Sequence, residues 1–153
     1  MKKWSYYNEI DPNCCEWIRQ LIKLKQIPDG EVDCRSITEV KPDDIRPFIQ
    51  AHFFGGIGGF ALALRRCGVP DDFPIWTGST PCQDFSRAGM QKGFKGHRDL
   101  WSFFFNLIKE CRPIHAIGEQ VEAACSAQND SLRKLVTDIM ADREAASARR
   151  GYK

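Results

Sequence analysis

The stretch Ile49-Gln50-Ala51-His52-Phe53-Phe54-Gly55-Gly56-Ile57-Gly58-Gly59-Phe60-Ala61-Leu62-Ala63-Leu64-Arg65-Arg66 decides how this 153-residue chain folds. Ile49–Phe54 is apolar enough for a buried strand. Glycines on either side of Ile57 make a turn, and Phe60–Arg66 has helical character, stopped by Gly68 and Pro70. Strand, glycine turn and helix in that order open a βαβ unit. Glycines at such a turn let a ligand approach the backbone at the helix N-terminus, although the same run serves equally well as a purely structural turn.

Working outward, Trp4–Ile10 is aromatic-rich and suits a strand ending at an acidic residue. Asp11-Pro12 reads as an N-cap with proline at the first helical position, and Trp17, Ile18, Leu21, Ile22 and Leu24 follow at helical spacing. Pro28-Asp29-Gly30 ends that helix. Glu31–Cys34 makes a short strand, and residues 35–48 a polar connector with one helical turn. Beyond the glycine run, Ile75-Trp76-Thr77 forms a further strand, followed by a turn-rich loop through Gly96. Leu100–Cys111 carries Trp101, Phe104, Phe105 and Ile108 on one helical side, and Ile114–Ile117 returns to strand after Pro113. Ser131–Arg150 reads as an amphipathic helix with Leu132, Leu135, Val136, Ile139 and Met140 on its apolar face. This alternation predicts an α/β fold, a parallel-type sheet flanked by helices, with function at the carboxyl ends of its strands. Glu9, Gly56, Pro81-Cys82 and Glu119 all fall just after predicted strands.

Length allows one compact domain, and the 42% hydrophobic and 27% charged composition is that of a soluble globular core. No apolar stretch approaches the roughly 18 residues that span a bilayer, and Met1-Lys2-Lys3-Trp4 lacks the apolar core of a signal peptide. A cytoplasmic protein without membrane contact is expected. Cysteines 14, 15, 34, 67, 82, 111 and 125 contain no Cys-x-x-Cys pair, and histidines 52, 97 and 115 do not join them at zinc-ligand spacing. The reading is therefore reduced thiols, most of them buried, and no metal. A net charge of +2 permits nucleic-acid binding without arguing for it. Arg87, Lys92, Lys95, His97 and Arg98 share one stretch that suits either a phosphate-contacting loop or a solvated surface.

Two further segments carry chemistry. Thr77-Gly78-Ser79-Thr80-Pro81-Cys82-Gln83-Asp84-Phe85-Ser86 places a thiol in a loop beyond a strand, where a thiolate can attack an electrophilic carbon. Gly118-Glu119-Gln120-Val121 puts a carboxyl directly after an apolar strand, where it can donate a proton. Taken alone, a buried cysteine and a solvated strand-end glutamate are the ordinary alternatives.

Together the three segments resemble the DNA cytosine-5 methyltransferase family. Phe54-x-Gly56-x-Gly58-Gly59 is similar to its cofactor-binding motif, with Gly55 where alanine is commoner. Pro81-Cys82-Gln83-x-Phe85-Ser86-x-Ala88-Gly89 resembles its nucleophile motif, and Glu119-Gln120-Val121 its Glu-Asn-Val motif with glutamine for asparagine. In the usual family order a Glu-Ile-Asp motif and then an Asp-containing motif follow the glycine motif. Here Glu9-Ile10-Asp11 and Val32-Asp33 precede it, which implies a rearranged order.

The resemblance implies a Rossmann-like S-adenosylmethionine-dependent methyltransferase fold, incomplete at the C-terminus. Residues 1–125 would form the catalytic domain and 126–153 a C-terminal helical segment. It implies Cys82 as nucleophile and Glu119 as proton donor. S-adenosylmethionine would be held by Phe54, Gly56, Ile57, Gly58, Gly59, Glu9, Ile10, Asp33 and Pro81, with Glu9 on the ribose, Asp33 on the adenine and Phe54 packed against the adenine. Gln83, Ser86 and Arg87 would contact a cytosine flipped out of duplex DNA. The family's later arginine-bearing, target-recognition and closing motifs are not recognisable after Val121. The chain is accordingly expected to be truncated, to work with a second chain or by self-association, or to be a binding module without turnover. The recognised site and the setting, whether restriction-modification, phage protection or regulation, are not legible in these motifs. A thiol hydrolase ranks last, because no histidine stands in a catalytic frame with Cys82.

Overall fold

A computed structural model of the chain describes residues 3–81, 100–119 and Thr137, and within them five strands build one parallel sheet. In chain order the elements are β1 (Lys3–Asn8), α1 (Pro12–Lys23), β2 (Gly30–Asp33) and a 3-10 turn (Ile37–Glu39). There follow α2 (Pro42–Ile45), β3 (Phe48–Phe53), α3 (Gly59–Arg66), β4 (Ile75–Gly78), α4 (Leu100–Cys111) and β5 (His115–Gly118). The strand order is β2-β1-β3-β4-β5, and every pairing is parallel.

The path through the sheet fixes where a site can be. From β1 the chain moves out to β2, then residues 34–47 carry it back past β1 to β3. That return crosses two inter-strand spacings, about 10 Å, well within reach of the connector. From β3 it proceeds the other way to β4 and β5. Direction therefore reverses between β1 and β3, and it is on the carboxyl side of such a switch point that open α/β sheets receive ligands.

Each element has a local cause. The Asp11 side chain accepts the amide protons of Asn13 (2.7 Å) and Cys14 (3.2 Å), and Pro12 supplies a preset φ at the first helical position. On α1 the buried stripe is Cys15, Ile18 and Leu21, one residue per turn. Ile18 and Leu21 pack with Tyr7, Ile27 and Ala61 on one side of the sheet. On the other side Trp101, Phe104 and Leu107 of α4 meet Tyr6, Ala51, Phe53 and Trp76. Neighbours Tyr6 and Tyr7 thus serve opposite layers, as strand alternation requires.

A polar row runs beneath the first of these layers. Buried His52 stacks on Tyr7 at 5.1 Å and meets Thr77 Oγ1 through Nδ1 (2.9 Å) and Gln50 Oε1 through Nε2 (3.2 Å). The Gln50 amide donates to the carbonyls of Pro70 and Phe73, so its oxygen is the acceptor. It follows that His52 carries its proton on Nε2 and accepts the Thr77 hydroxyl at Nδ1. Burial pulls the His52 pKa down to about 4, which keeps the ring neutral.

Several expectations shift. β1 ends at Asn8, leaving Glu9 and Ile10 beyond the strand, and β5 runs one residue later than expected, through Gly118. The connector holds a 3-10 turn as well as α2, and β3 begins at Phe48 inside it. Trp17 and Leu24, read as part of the apolar helical pattern, are 53% and 65% exposed, because the stripe follows Cys15 and Ile18 rather than their neighbours. Among the described cysteines only Cys15 is buried; Cys34 and Cys67 are exposed, so thiol burial was overestimated. The loop from Cys82 to Gly96 and, apart from Thr137, the Ser131–Arg150 helix lie outside the described residues.

Candidate active site

Glu9 is the first residue past β1, and its side chain reaches the glycine turn past β3. Its Oε2 accepts the Gly56 amide proton at 2.6 Å, across 47 residues of sequence, while Oε1 accepts the Asp11 amide proton at 2.9 Å. The backbone of Glu9 is held as well. Its N–H donates to the Asp33 carbonyl (3.1 Å), and its carbonyl accepts the Cys15 thiol (3.0 Å). Burial, assisted by neighbouring Cys34, pushes that thiol up to about 12, so it remains a donor at neutral pH.

The glycine turn meets the carboxylate with its backbone. Gly56 has φ +51°, and among the described residues no atom beyond its chain neighbours lies within 4 Å of where a Cβ would stand. Gly55 donates to the Asn8 carbonyl (3.0 Å), which ties the turn to β1. Phe54 itself has φ +54°, a left-handed conformation that costs a non-glycine residue roughly 1–2 kcal/mol. Its ring stands edge-on to Phe104 at 6.5 Å, part of the packing that holds it there. Ile10 and Ile57 flank the Glu9–Gly56 bond and are 64% and 70% exposed.

Asp33 ends β2 with its side chain already engaged. It accepts the Tyr6 hydroxyl at 2.6 Å, and Arg35 binds both of its oxygens, the Nη2 contact at 2.6 Å. Burial alone would raise the Asp33 carboxyl, but the bonds from Arg35 and Tyr6 outweigh it and hold the pKa at about 2. Arg35 also pairs with Asp44 at 3.0 Å. The structure thus brings Glu9 and the glycine turn together, while the Asp33 carboxylate faces Tyr6 and Arg35.

A second junction lies at the ends of β4 and β5. These strands pair Gly78 with Gly118, and the Glu119 N–H continues the ladder to the Gly78 carbonyl at 3.1 Å. A Cβ on Gly78 would stand 2.6 Å from Phe104 Cζ, so only glycine permits this approach of β4 to α4. The Ser79 hydroxyl donates to Glu119 Oε2 at 2.5 Å. Pro81 follows, exposed. Cys82, Gln83, Ser86 and Arg87 lie outside the described residues, as does Cys125.

Sequence reasoning passed over two residues of this region. Asn8 is 2% exposed and donates to the Arg35 carbonyl (2.9 Å), besides receiving Gly55. A polar residue closing an aromatic strand was its signal. Ser79 had none, since its partner is 40 residues away. Neither described histidine faces the strand carboxyl ends. His52 is enclosed in the polar row, and His115 opens β5 at its far end, donating to the Pro74 carbonyl at 3.1 Å. Among the described residues no group of three His, Cys, Asp or Glu side chains is placed to hold a metal ion, and no helix is long and apolar enough to cross a membrane.

The family model for C-5 cytosine-specific DNA methylase matches residues 3–143. The type II methyltransferase M.AplI of Arthrospira platensis is 34% identical over 73 residues, 48% of this chain and 20% of that protein. The type II methyltransferase M.HhaI of Haemophilus parahaemolyticus is 25% identical over 138 residues, 67% of this chain and 42% of that protein. The chain therefore spans less than half the length of either curated relative.

Proposed function

The chain belongs to the C-5 cytosine-specific DNA methylase family, and from that premise we propose that it transfers a methyl group from S-adenosylmethionine to C5 of a cytosine in DNA, with Cys82 as nucleophile. The observation that carries the reading is the bond from Gly56 N to Glu9 Oε2 at the point where the strand order reverses. Residues 47 apart meet where a nucleoside ligand binds in such sheets, which supports a rearranged motif order acting as one cofactor site.

The residues present suit S-adenosylmethionine. A carboxylate has about four lone-pair sites, and the Gly56 and Asp11 amides take two at Glu9, leaving the rest for ribose hydroxyls. The space over Gly56 is open among the described residues and admits the ligand to the backbone, and exposed Ile10 and Ile57 offer it apolar contact. Phe54, Gly58, Gly59 and Pro81 are the further residues this reading assigns to the cofactor. Asp33 can take part through the adenine edge only in competition with Arg35. When bound, the cofactor supplies an electrophilic methyl group.

The protein's part is to make C5 of cytosine nucleophilic. The Cys82 thiolate adds to C6, breaking the ring's aromaticity, and Glu119 gives a proton to N3 as the sulfur–carbon bond forms. After C5 is methylated, loss of its proton and expulsion of Cys82 restore the ring. Reaching Cys82 requires the base to leave the duplex, with Gln83, Ser86 and Arg87 contacting the flipped nucleotide. Residues 1–125 carry these groups. The proposed setting is the cytoplasm, where DNA is the substrate.

Trapping tests this directly. Duplex DNA containing 5-fluorocytosine blocks the final elimination, so wild-type protein with S-adenosylmethionine should give a denaturant-stable adduct that Cys82→Ser abolishes. A second reading is a cofactor- and DNA-binding module that needs a second chain or self-association for turnover. Cofactor binding with no adduct would select it.

A further inference from the structure

We infer that Ser79 is a positioning residue for Glu119, its hydroxyl holding carboxyl oxygen Oε2 so that Oε1 is the oxygen offered to the cytosine ring, a role that rests on the methyltransferase reading above. Glu119 is gripped twice by neighbouring residues where β4 ends. Its N–H binds the Gly78 carbonyl at 3.1 Å, and its Oε2 accepts the Ser79 hydroxyl at 2.5 Å. That stretch is firmly seated. Thr77 and Thr80, on either side of Gly78-Ser79, are 0% and 1% exposed, and Gly78 lies against the buried Phe104 ring. Glu119 is otherwise exposed at the end of a strand whose four residues are all exposed. Ser79 therefore converts a solvated side chain into one of defined orientation, within three residues of Cys82.

The choice of oxygen matters for the proton. A carboxylic acid carries its proton on one oxygen, and the oxygen that accepts from Ser79 serves as the acceptor. In the proposed step Oε1 is therefore the oxygen from which a proton passes to N3. When the Cys82 sulfur bonds to C6, the C5–C6 π pair moves into C4–C5, and the C4–N3 π pair takes the proton from Oε1. Glu119 is left as a carboxylate, and the bond from Ser79 then points at an ionised acceptor. Such bonds are about twice as strong as neutral ones, so the hydroxyl stabilises the group most as charge develops on it.

The test is the single-turnover rate of adduct formation on 5-fluorocytosine duplex with S-adenosylmethionine, for wild type, Ser79→Ala, Ser79→Thr and Cys82→Ser. Ser79→Ala should slow adduct formation about tenfold or more at saturating DNA while cofactor affinity stays within about twofold, and Ser79→Thr should recover most of the rate. Ser79→Gly removes the hydroxyl with the least steric demand and replaces the alanine variant if thermal melting shows that one unfolded. An alanine variant as fast as wild type, or a threonine variant no better than alanine, overturns the positioning role alone. Absence of any adduct with wild-type protein overturns the methyltransferase reading, and the positioning role with it.

Discussion

Glu9 does two jobs with one carboxylate. It binds the amides of Asp11 and Gly56, which start α1 and line the glycine turn, and in the proposed site it also receives ribose hydroxyls. Glu9→Gln keeps the shape but turns an acceptor into a donor facing an N–H. S-adenosylmethionine affinity measured by calorimetry should fall about tenfold or more, and stability by about 1–2 kcal/mol. An affinity within twofold of wild type would remove Glu9 from the cofactor site. His52 makes a prediction of another kind. Its pKa is about 4 in the fold and near 6.5 when unfolded, so the unfolded chain binds a proton that the native chain refuses. Stability is complete above about pH 6.5 and declines as pH falls towards 4, by roughly 3 kcal/mol in all. Denaturant melts at about pH 7 and about pH 4.5 should show the loss, and His52→Gln should flatten it. Asp33, held at about 2, adds its own acid sensitivity only below the ordinary carboxylate range.

Among elements, the contact between β4 and α4 is the least tolerant. A Cβ on Gly78 would stand 2.6 and 2.7 Å from two atoms of the Phe104 ring, which is 2% exposed and has nowhere to go. Gly78→Ala should destabilise the protein by about 1–3 kcal/mol, and a Phe104→Leu background should relieve part of that in a double-mutant cycle. Strict additivity of the two changes would show that the contact is not what penalises alanine. The elements were largely legible because their signals are local. Asp11-Pro12 capped α1 as expected, and α4 runs from Leu100 to Cys111 as its apolar spacing implied. Trp17 was misread because two apolar rows compete on α1, and only packing against Tyr7 and Ala61 chooses the one through Ile18. Ser79–Glu119 was illegible because it depends on the β4–β5 register, which is a property of pairing and not of either segment.

For the molecule as a whole, the most informative inference concerned order rather than pattern. Glu9 and Gly56 were linked because Glu-Ile-Asp stood ahead of the glycine run instead of behind it, and the sheet brings β1 beside β3 accordingly. The ion pair between Asp33 and Arg35 was within two residues and still unread, since adjacency in sequence does not say which face a carboxylate turns to. The rearranged order also carries a temporal meaning. A chain is made from its N-terminus, and β1, a central strand, finds both of its neighbours downstream. On the ribosome it must wait for β2 and then for β3, whose last residue is Phe53, before either side is closed. Once the glycine turn has emerged, Glu9 and Gly56 are both available, while Cys82 and Glu119 are still unmade or in the exit tunnel. A nascent chain of this protein thus closes the Glu9–Gly56 junction before the proposed nucleophile has left the ribosome.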